Sequence, residues 1–188
     1  EPEVISGQEE ASLSFIGATR ELRGEGAPYL VVDIGGGSTE FVFGNDTVQA
    51  SASVNIGCVR MSERHFTSQP PTPLEVARAV RDIDEAIADA ARIVPIKEAK
   101  TLVAVAGSAT TVAAASLELE SYDRYSIHLS RIPAQQAIAV TQRFSLMSAE
   151  KLANLGYMHP GRVSVISAGS LVLSRVLIAT GATEYVAS

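Results

Sequence analysis

Tyr29-Leu-Val-Val-Asp-Ile-Gly-Gly-Gly-Ser-Thr-Glu-Phe-Val-Phe43 decides the reading of this chain. A hydrophobic run, Leu30 to Ile34, carries Asp33 near its end and leads into Gly35, Gly36 and Gly37. Ser38, Thr39 and Glu40 follow, and apolar residues return at Phe41, Val42 and Phe43. Two short apolar runs joined by a Gly-rich turn predict a β-hairpin. Three successive glycines are more than a turn needs. Glycine permits positive φ and lets a ligand approach the main chain closely. Successive amides can then form a concave nest for a phosphate. Asp33, at the strand end, is placed to hold a metal or a water, and Ser38 and Thr39 add hydroxyl donors. The plain alternative is a hairpin whose glycines only fix a tight turn.

The run differs from two familiar phosphate loops. A Walker loop needs Lys after its last glycine, where this chain has Ser38. A dinucleotide fingerprint spaces its glycines as G-x-G-x-x-G between a strand and a helix. Here the glycines are contiguous and a strand-like segment follows.

Upstream, Ser6-Gly7-Gln8-Glu9 reads as a capping box. It predicts a helix to about Arg20 with Leu13, Ile16 and Phe15 facing inward. Glu9 is then the partner of Ser6, and Glu10 is left to point elsewhere. Gly24 to Pro28 reads as a turn. Strands are predicted at Tyr29–Ile34, Thr39–Phe43 and Val48–Val54, with Asn45-Asp46 turning between the last two. Asn55-Ile56-Gly57 is a further turn, with a short helix from Gly57 to Phe66. Thr72 and Pro73 open a helix to about Ile93, with Val76, Val80, Ile83 and Ile87 on one face.

Thr101–Ala106 reads as a buried strand ending in Gly107-Ser108-Ala109-Thr110-Thr111, with a helix from Val112 to about Leu119. Ser126–Leu129 reads as a weak strand, and Tyr122 to Tyr125 as a loop before it. Helices are expected at Pro133–Phe144, Ser148–Leu155 and about Arg162–Ala179, and a last strand at Glu184–Ala187. The order predicts an α/β fold with a mixed sheet flanked by helices. It resembles half of the actin-like, ribonuclease H-like architecture, in which a nucleotide or phosphate sits in a cleft between two such halves.

Composition narrows the classes. The chain has 188 residues, 46% hydrophobic and 19% charged, enough for one ordinary domain with a core. Its formal net charge of −6 argues against nucleic acid or an anionic membrane as the main partner. A phosphate ligand must therefore find backbone amides, a metal or borrowed arginines. One cysteine, Cys58, rules out an intrachain disulfide and reads as a small buried residue. With no signal peptide at the start, a cytoplasmic setting is expected. Val163 to Ala179 is too polar and short for a membrane span and reads as a buried helix. The opening Glu1-Pro2-Glu3, without Met, suggests a piece of a longer protein.

The second phosphate-loop candidate is Gly107-Ser108, between a buried strand and a helix. A helix N-terminus offers free N–H groups and the positive end of a dipole; Ser108 and Thr110 could equally be simple caps. Glu10 could act as general base on a water, or be a solvated helix acid. Glu40 could bind a metal or face solvent. His65, His128 and His159 lack metal-ligand spacing. Arg162, after His159-Pro160-Gly161, could reach a phosphate, though a surface arginine is the more common outcome.

Taken together, these residues resemble the exopolyphosphatase and guanosine pentaphosphate phosphatase family, Ppx/GppA. The resemblance rests on Val4 to Ala11, Val32 to Glu40, Asn55 to Arg60, Gly107 to Thr110, and Pro160-Gly161-Arg162 with Ala168-Gly169. Relatives often carry an aspartate where this chain has Ser164. The resemblance implies one actin-like domain over residues 1–188, the second of two, with 1–22 leading into it and the first domain absent. It implies hydrolysis of terminal phosphate from polyphosphate or guanosine pentaphosphate, with Mg2+ as cofactor. Glu10 matches the catalytic glutamate, and Asp33 and Glu40 match acids near the magnesium and the scissile phosphate. Gly35, Gly36, Gly37, Ser38, Thr39, Gly107 and Ser108 match the phosphate loops. A homodimer of the full-length protein is expected, and little activity from this chain alone. The competing readings are a sensor module that binds nucleotide or polyphosphate without hydrolysis, and half of a sugar-kinase-like ATPase.

Overall fold

The computed structural model describes residues 7–22 and 26–188, the first four as backbone only. The chain opens with helix α1 (Gly7–Thr19), followed by strands β1 (Tyr29–Ile34), β2 (Thr39–Gly44) and β3 (Val48–Val54). Helices α2 (Cys58–His65) and α3 (Pro73–Ala90) lead to β4 (Thr101–Val105), which runs directly into α4 (Ala106–Ser116). Then come α5 (Arg124–Ile127), β5 (Arg131–Pro133), α6 (Ala134–Ser145), α7 (Ala149–Ala153), α8 (Ile166–Thr180) and β6 (Glu184–Ala187).

The strands form one mixed sheet in the order β3-β2-β1-β4-β6-β5. β1, β2 and β3 are an antiparallel meander, β1, β4 and β6 run parallel, and β5 pairs antiparallel with β6. Helices cover both faces, which is why β1 and β4 are continuously apolar rather than alternating. The period of two sends Leu30, Val32 and Ile34 into the larger core with Phe41, Ile83 and Ile87. It sends Tyr29 and Val31 to the opposite face, where Phe15, Val42, Val103 and Val186 join them.

α1 lies on that second face and runs against β1. Phe15 meets the Tyr29 ring edge-on at 6.5 Å, and the Tyr29 hydroxyl donates to the Leu22 carbonyl. The C-terminal end of α1 is thus pinned at the start of β1.

Several expectations shift. Ser6 of the expected capping box and Gly24 and Glu25 of the expected turn lie outside the described residues, as do the side chains of Glu9 and Glu10. Phe15 is buried, but Leu13 and Ile16 are 60% and 44% exposed. The buried stripe of α1 is Ala11, Phe15 and Ala18, so two small alanines do the packing that larger residues were expected to do. Ser126–Leu129 is not a strand. Asp123 accepts from the Tyr125 amide at 2.9 Å and the Ser126 hydroxyl at 2.7 Å, which starts helix α5 instead. Pairing with β6 begins later: the Leu129 amide and the Ser130 carbonyl bond to Ala187, and β5 follows. α4 begins at Ala106 rather than Val112. Thr111 bonds back to the Gly107 carbonyl at 2.7 Å, so a residue of low helix propensity is accommodated within the helix.

Candidate functional site

Both glycine loops leave the same edge of the sheet. Asp33 of β1 is paired in parallel register with Val105 of β4. Gly35 and Gly107 each lie two residues further on. Adjacent strands are about 4.8 Å apart, so the two loops start side by side at the carboxyl ends of neighbouring parallel strands.

The first loop is held from behind by α2. The amides of Cys58, Val59 and Arg60 are the otherwise unpaired donors of a helix N-terminus. Cys58 donates to the Gly35 carbonyl at 2.8 Å, and Val59 and Arg60 donate to the Gly36 carbonyl at 2.9 and 3.1 Å. Gly57 donates to the Gly37 carbonyl at 3.2 Å. A trans peptide is planar, so its N–H points away from its C=O. With three successive carbonyls turned toward α2, the amides of Gly36, Gly37 and Ser38 point away from it. Among the described residues none accepts from them. This requires close contact: a Cβ on Gly57 would fall 2.3 Å from the Gly36 carbonyl oxygen.

The second loop is the first turn of α4. Its N-cap, Val105, makes no side-chain cap, so the first amides of the helix have no acceptor there. Ala106 adopts φ 70°, a left-handed value that turns the chain sharply from strand to helix. β6 anchors this turn through the buried Tyr185 hydroxyl, which donates to the Ala109 carbonyl at 2.9 Å.

Two arginines of the chain serve these loops. Arg60 lies over the first, its Nη2 3.4 Å from where a Gly37 Cβ would sit. Arg162, on the Pro160–Arg162 turn, lies so close to Gly107 that any Cβ there would overlap its guanidinium at 2.1 Å. Among the described residues neither has a carboxylate partner. Arg162 faces a cavity of about 540 Å³ lined also by Gly107, Thr110, Tyr122, Tyr157, Met158 and His159.

Asp33 and Glu40 are directly opposite each other across β1 and β2, on the α1 face, just before the first loop. Glu40 accepts from the Ser53 hydroxyl at 2.8 Å. Carboxylates are hard oxygen donors of the kind Mg2+ takes. Among the described residues no group of three or more His, Cys, Asp or Glu could hold a metal.

Not every expected side chain faces the opening. Thr39 is fully buried, and its hydroxyl donates to the Ile56 carbonyl at 3.1 Å, tying the hairpin to the turn before α2. Ser108 is also fully buried, and its hydroxyl has no partner among the described residues and lies against Gly169 of α8. Both residues are fully enclosed, so neither hydroxyl reaches the opening. The histidines have structural contacts: His65 with Asp82 at 2.8 Å, His128 with Glu21 at 3.4 Å, and His159 accepting from the Gly161 amide at 3.1 Å. Cys58 is buried, as expected. No described helix is long and apolar enough to cross a membrane.

Sequence reasoning missed the clamp from Gly57 to Arg60 and the aromatic wall beside Arg162. The first had a signal, a second glycine turn at the start of a short helix. The second had none, because Tyr122 and Tyr157 meet only through the tertiary fold.

The sequence profile of the Ppx/GppA phosphatase family matches residues 1–182. Exopolyphosphatase 2 of Mycobacterium tuberculosis is 48% identical over 174 residues, covering 93% of this chain and 54% of that protein. A guanosine-5'-triphosphate,3'-diphosphate pyrophosphatase of Vibrio atlanticus is 30% identical over 88% of this chain and 33% of its own length. The chain therefore spans about half the length, or less, of these curated relatives. The crystal structure of an exopolyphosphatase-like protein superposes with a TM-score of 0.95 at 41% identity, covering 100% of this chain and 64% of that one. The Aquifex aeolicus Ppx/GppA phosphatase gives 0.89 at 28% identity, covering 99% and 61%.

Proposed function

The chain belongs to the Ppx/GppA phosphatase family, with its actin-like mixed sheet, and on that premise we propose that the protein hydrolyses the terminal phosphate of inorganic polyphosphate, of guanosine pentaphosphate, or of both. The observation that carries this reading is the pairing of the two loops. Outward amides at Gly36, Gly37 and Ser38 and the uncapped turn at Gly107 open at one sheet edge, each beside an arginine with no carboxylate partner among the described residues. A terminal phosphoanhydride needs such a cradle, because phosphoryl transfer depends on positioning and charge neutralisation more than on covalent chemistry.

In this account the loops hold the terminal phosphate and its neighbour in line. The Glu10 carboxylate takes a proton from a water as its oxygen forms the new bond to phosphorus. The bridging P–O bond breaks, and the shortened chain leaves with its charge on oxygens held by amides and arginine. Asp33 and Glu40 would hold Mg2+, which neutralises phosphate charge when bound.

The test is phosphate release from polyphosphate and from guanosine pentaphosphate by the full-length protein, with Mg2+ and with chelator. Turnover should require Mg2+, and Glu10→Ala should lower it about a hundredfold or more. Tight binding of both ligands with no release by the intact protein would replace this reading with a sensor. Undiminished turnover in Glu10→Ala would remove the general base.

A further inference from the structure

Strand register brings the two glycine loops to one edge of the sheet, but it does not fix how far apart they stand once they leave their strands. That separation is set behind them, where α2, α4 and α8 meet. Cys58, the first residue of α2, donates its amide to the Gly35 carbonyl at 2.8 Å, so α2 and the first loop move together. Ser108 lies in the first turn of α4, which is the second loop. Both side chains are enclosed, and both abut Gly169 of α8. A Cβ at Gly169 would sit 2.1 Å from Ser108 Oγ, 2.8 Å from Ser108 Cβ and 3.0 Å from Cys58 Cβ. A rotamer change could turn the hydroxyl aside, but the two Cβ atoms move only with the backbones of α4 and α2. Glycine is a poor helix residue, and this close approach accounts for its place in α8. Other partners hold the same turns of α8. Gln69 donates from Nε2 to the Ser167 hydroxyl at 3.1 Å and to the Met147 carbonyl at 3.2 Å, and the Thr141 hydroxyl donates to the Ser170 carbonyl at 3.1 Å. Close-packed interiors transmit added volume rather than absorb it, so a methyl group at 169 is passed through Cys58 and Ser108 to the loops.

We propose that Gly169 is a positioning residue: its missing side chain sets the separation of the two loops, and so decides whether one phosphoanhydride engages both. A pyrophosphate unit is short and stiff, and it reaches the two loops only across one separation. Two contacts on one ligand reinforce each other only when the geometry lets both form at once. Gly169 touches no ligand in this account and acts through Cys58 and Ser108. The inference rests on the phosphate-loop reading and deepens it, since it names what holds the two halves of that site in step.

Titrating the full chain with pyrophosphate and with orthophosphate, followed by amide NMR, separates spacing from general damage, because orthophosphate needs one loop only. The unsubstituted chain should bind pyrophosphate about tenfold or more tightly than orthophosphate, as two linked contacts provide. Gly169→Ala should weaken pyrophosphate about tenfold and leave orthophosphate within about twofold. Should Gly169→Ala not fold, Cys58→Val crowds the same seat from the α2 side, and the same selective loss is expected. A merely structural role for Gly169 would weaken both anions by the same factor, and that result would overturn the proposal. So would a pyrophosphate affinity that neither substitution changes. If the unsubstituted chain binds pyrophosphate no more tightly than orthophosphate, the spacing role falls alone. If neither anion binds, the phosphate-loop reading falls with it.

Discussion

A methyl group at position 57 has nowhere to go except into the Gly36 peptide. Gly57→Ala should therefore push the first loop away from α2 and let its peptides reorient. Overpacking of this kind costs about 1–3 kcal/mol, which a lowered urea midpoint would register. The functional expectation is larger: pyrophosphate affinity should drop about tenfold or more, because three aligned amides are lost together. Unchanged affinity would mean that the clamp does not orient the loop. Arg162 makes a different contribution. Its planar fork lies on Gly107 without an acidic partner among the described residues. Arg162→Lys keeps the charge but loses the fork, so it should recover only part of the phosphate affinity lost in Arg162→Ala. Full recovery in a competition assay would reduce Arg162 to a point charge. At this scale the sequence was readable where residue type alone carries meaning. The run of glycines was legible. The need for glycine at 57 was not, because it depends on two turns packing backbone to backbone.

Glu75 shows how an element start can hold more than its helix. It sits in the first turn of α3 in a capping box with Thr72, which the pairing of Thr72 and Pro73 partly announced. The sequence did not announce that its carboxylate also accepts from the Thr67 amide and hydroxyl, both at 2.7 Å, and from the Ser68 hydroxyl at 3.1 Å. The hydroxyl of Thr67, then the amides of Thr72 and Thr67, hold this carboxyl well below the usual glutamate range. A group depressed by folding adds stability above its unfolded pKa and loses it as pH falls toward its folded value. Urea midpoints should therefore decline on acidification below about pH 4.3, the ordinary glutamate value. Glu75→Gln should start lower and decline less over the same range. An identical acid decline in both proteins would remove Glu75 from this account. β6 and α4 make a second such pair, since Tyr185 ties the Ala109 carbonyl to the sheet. Tyr185→Phe should cost about 1 kcal/mol, the ordinary net value of a buried hydrogen bond, measured by chemical denaturation. The misread elements have one common cause. In α1 and at Ser126–Leu129, local pattern pointed one way, and packing by small alanines or a capping aspartate decided otherwise.

For the whole molecule, the decisive fact is register. The strands β1 and β4 were both legible from their apolar runs, and each was expected to end in a phosphate loop. Nothing in the linear order of the sequence fixes that they are neighbours, or that Asp33 stands level with Val105. That pairing turns two separate candidates into one surface on a chain whose formal charge is −6. It also sets the strongest test, because two loops that form one site must respond to one ligand with one affinity. Titrating pyrophosphate into the isotopically labelled chain, and following backbone amide resonances by NMR, reports on both at once. The amides of Gly36, Gly37 and Ser38 should shift together with those of Gly107 and Ser108, along a single binding curve. Separate curves for the two loops, or shifts confined to one of them, would contradict a shared phosphate site.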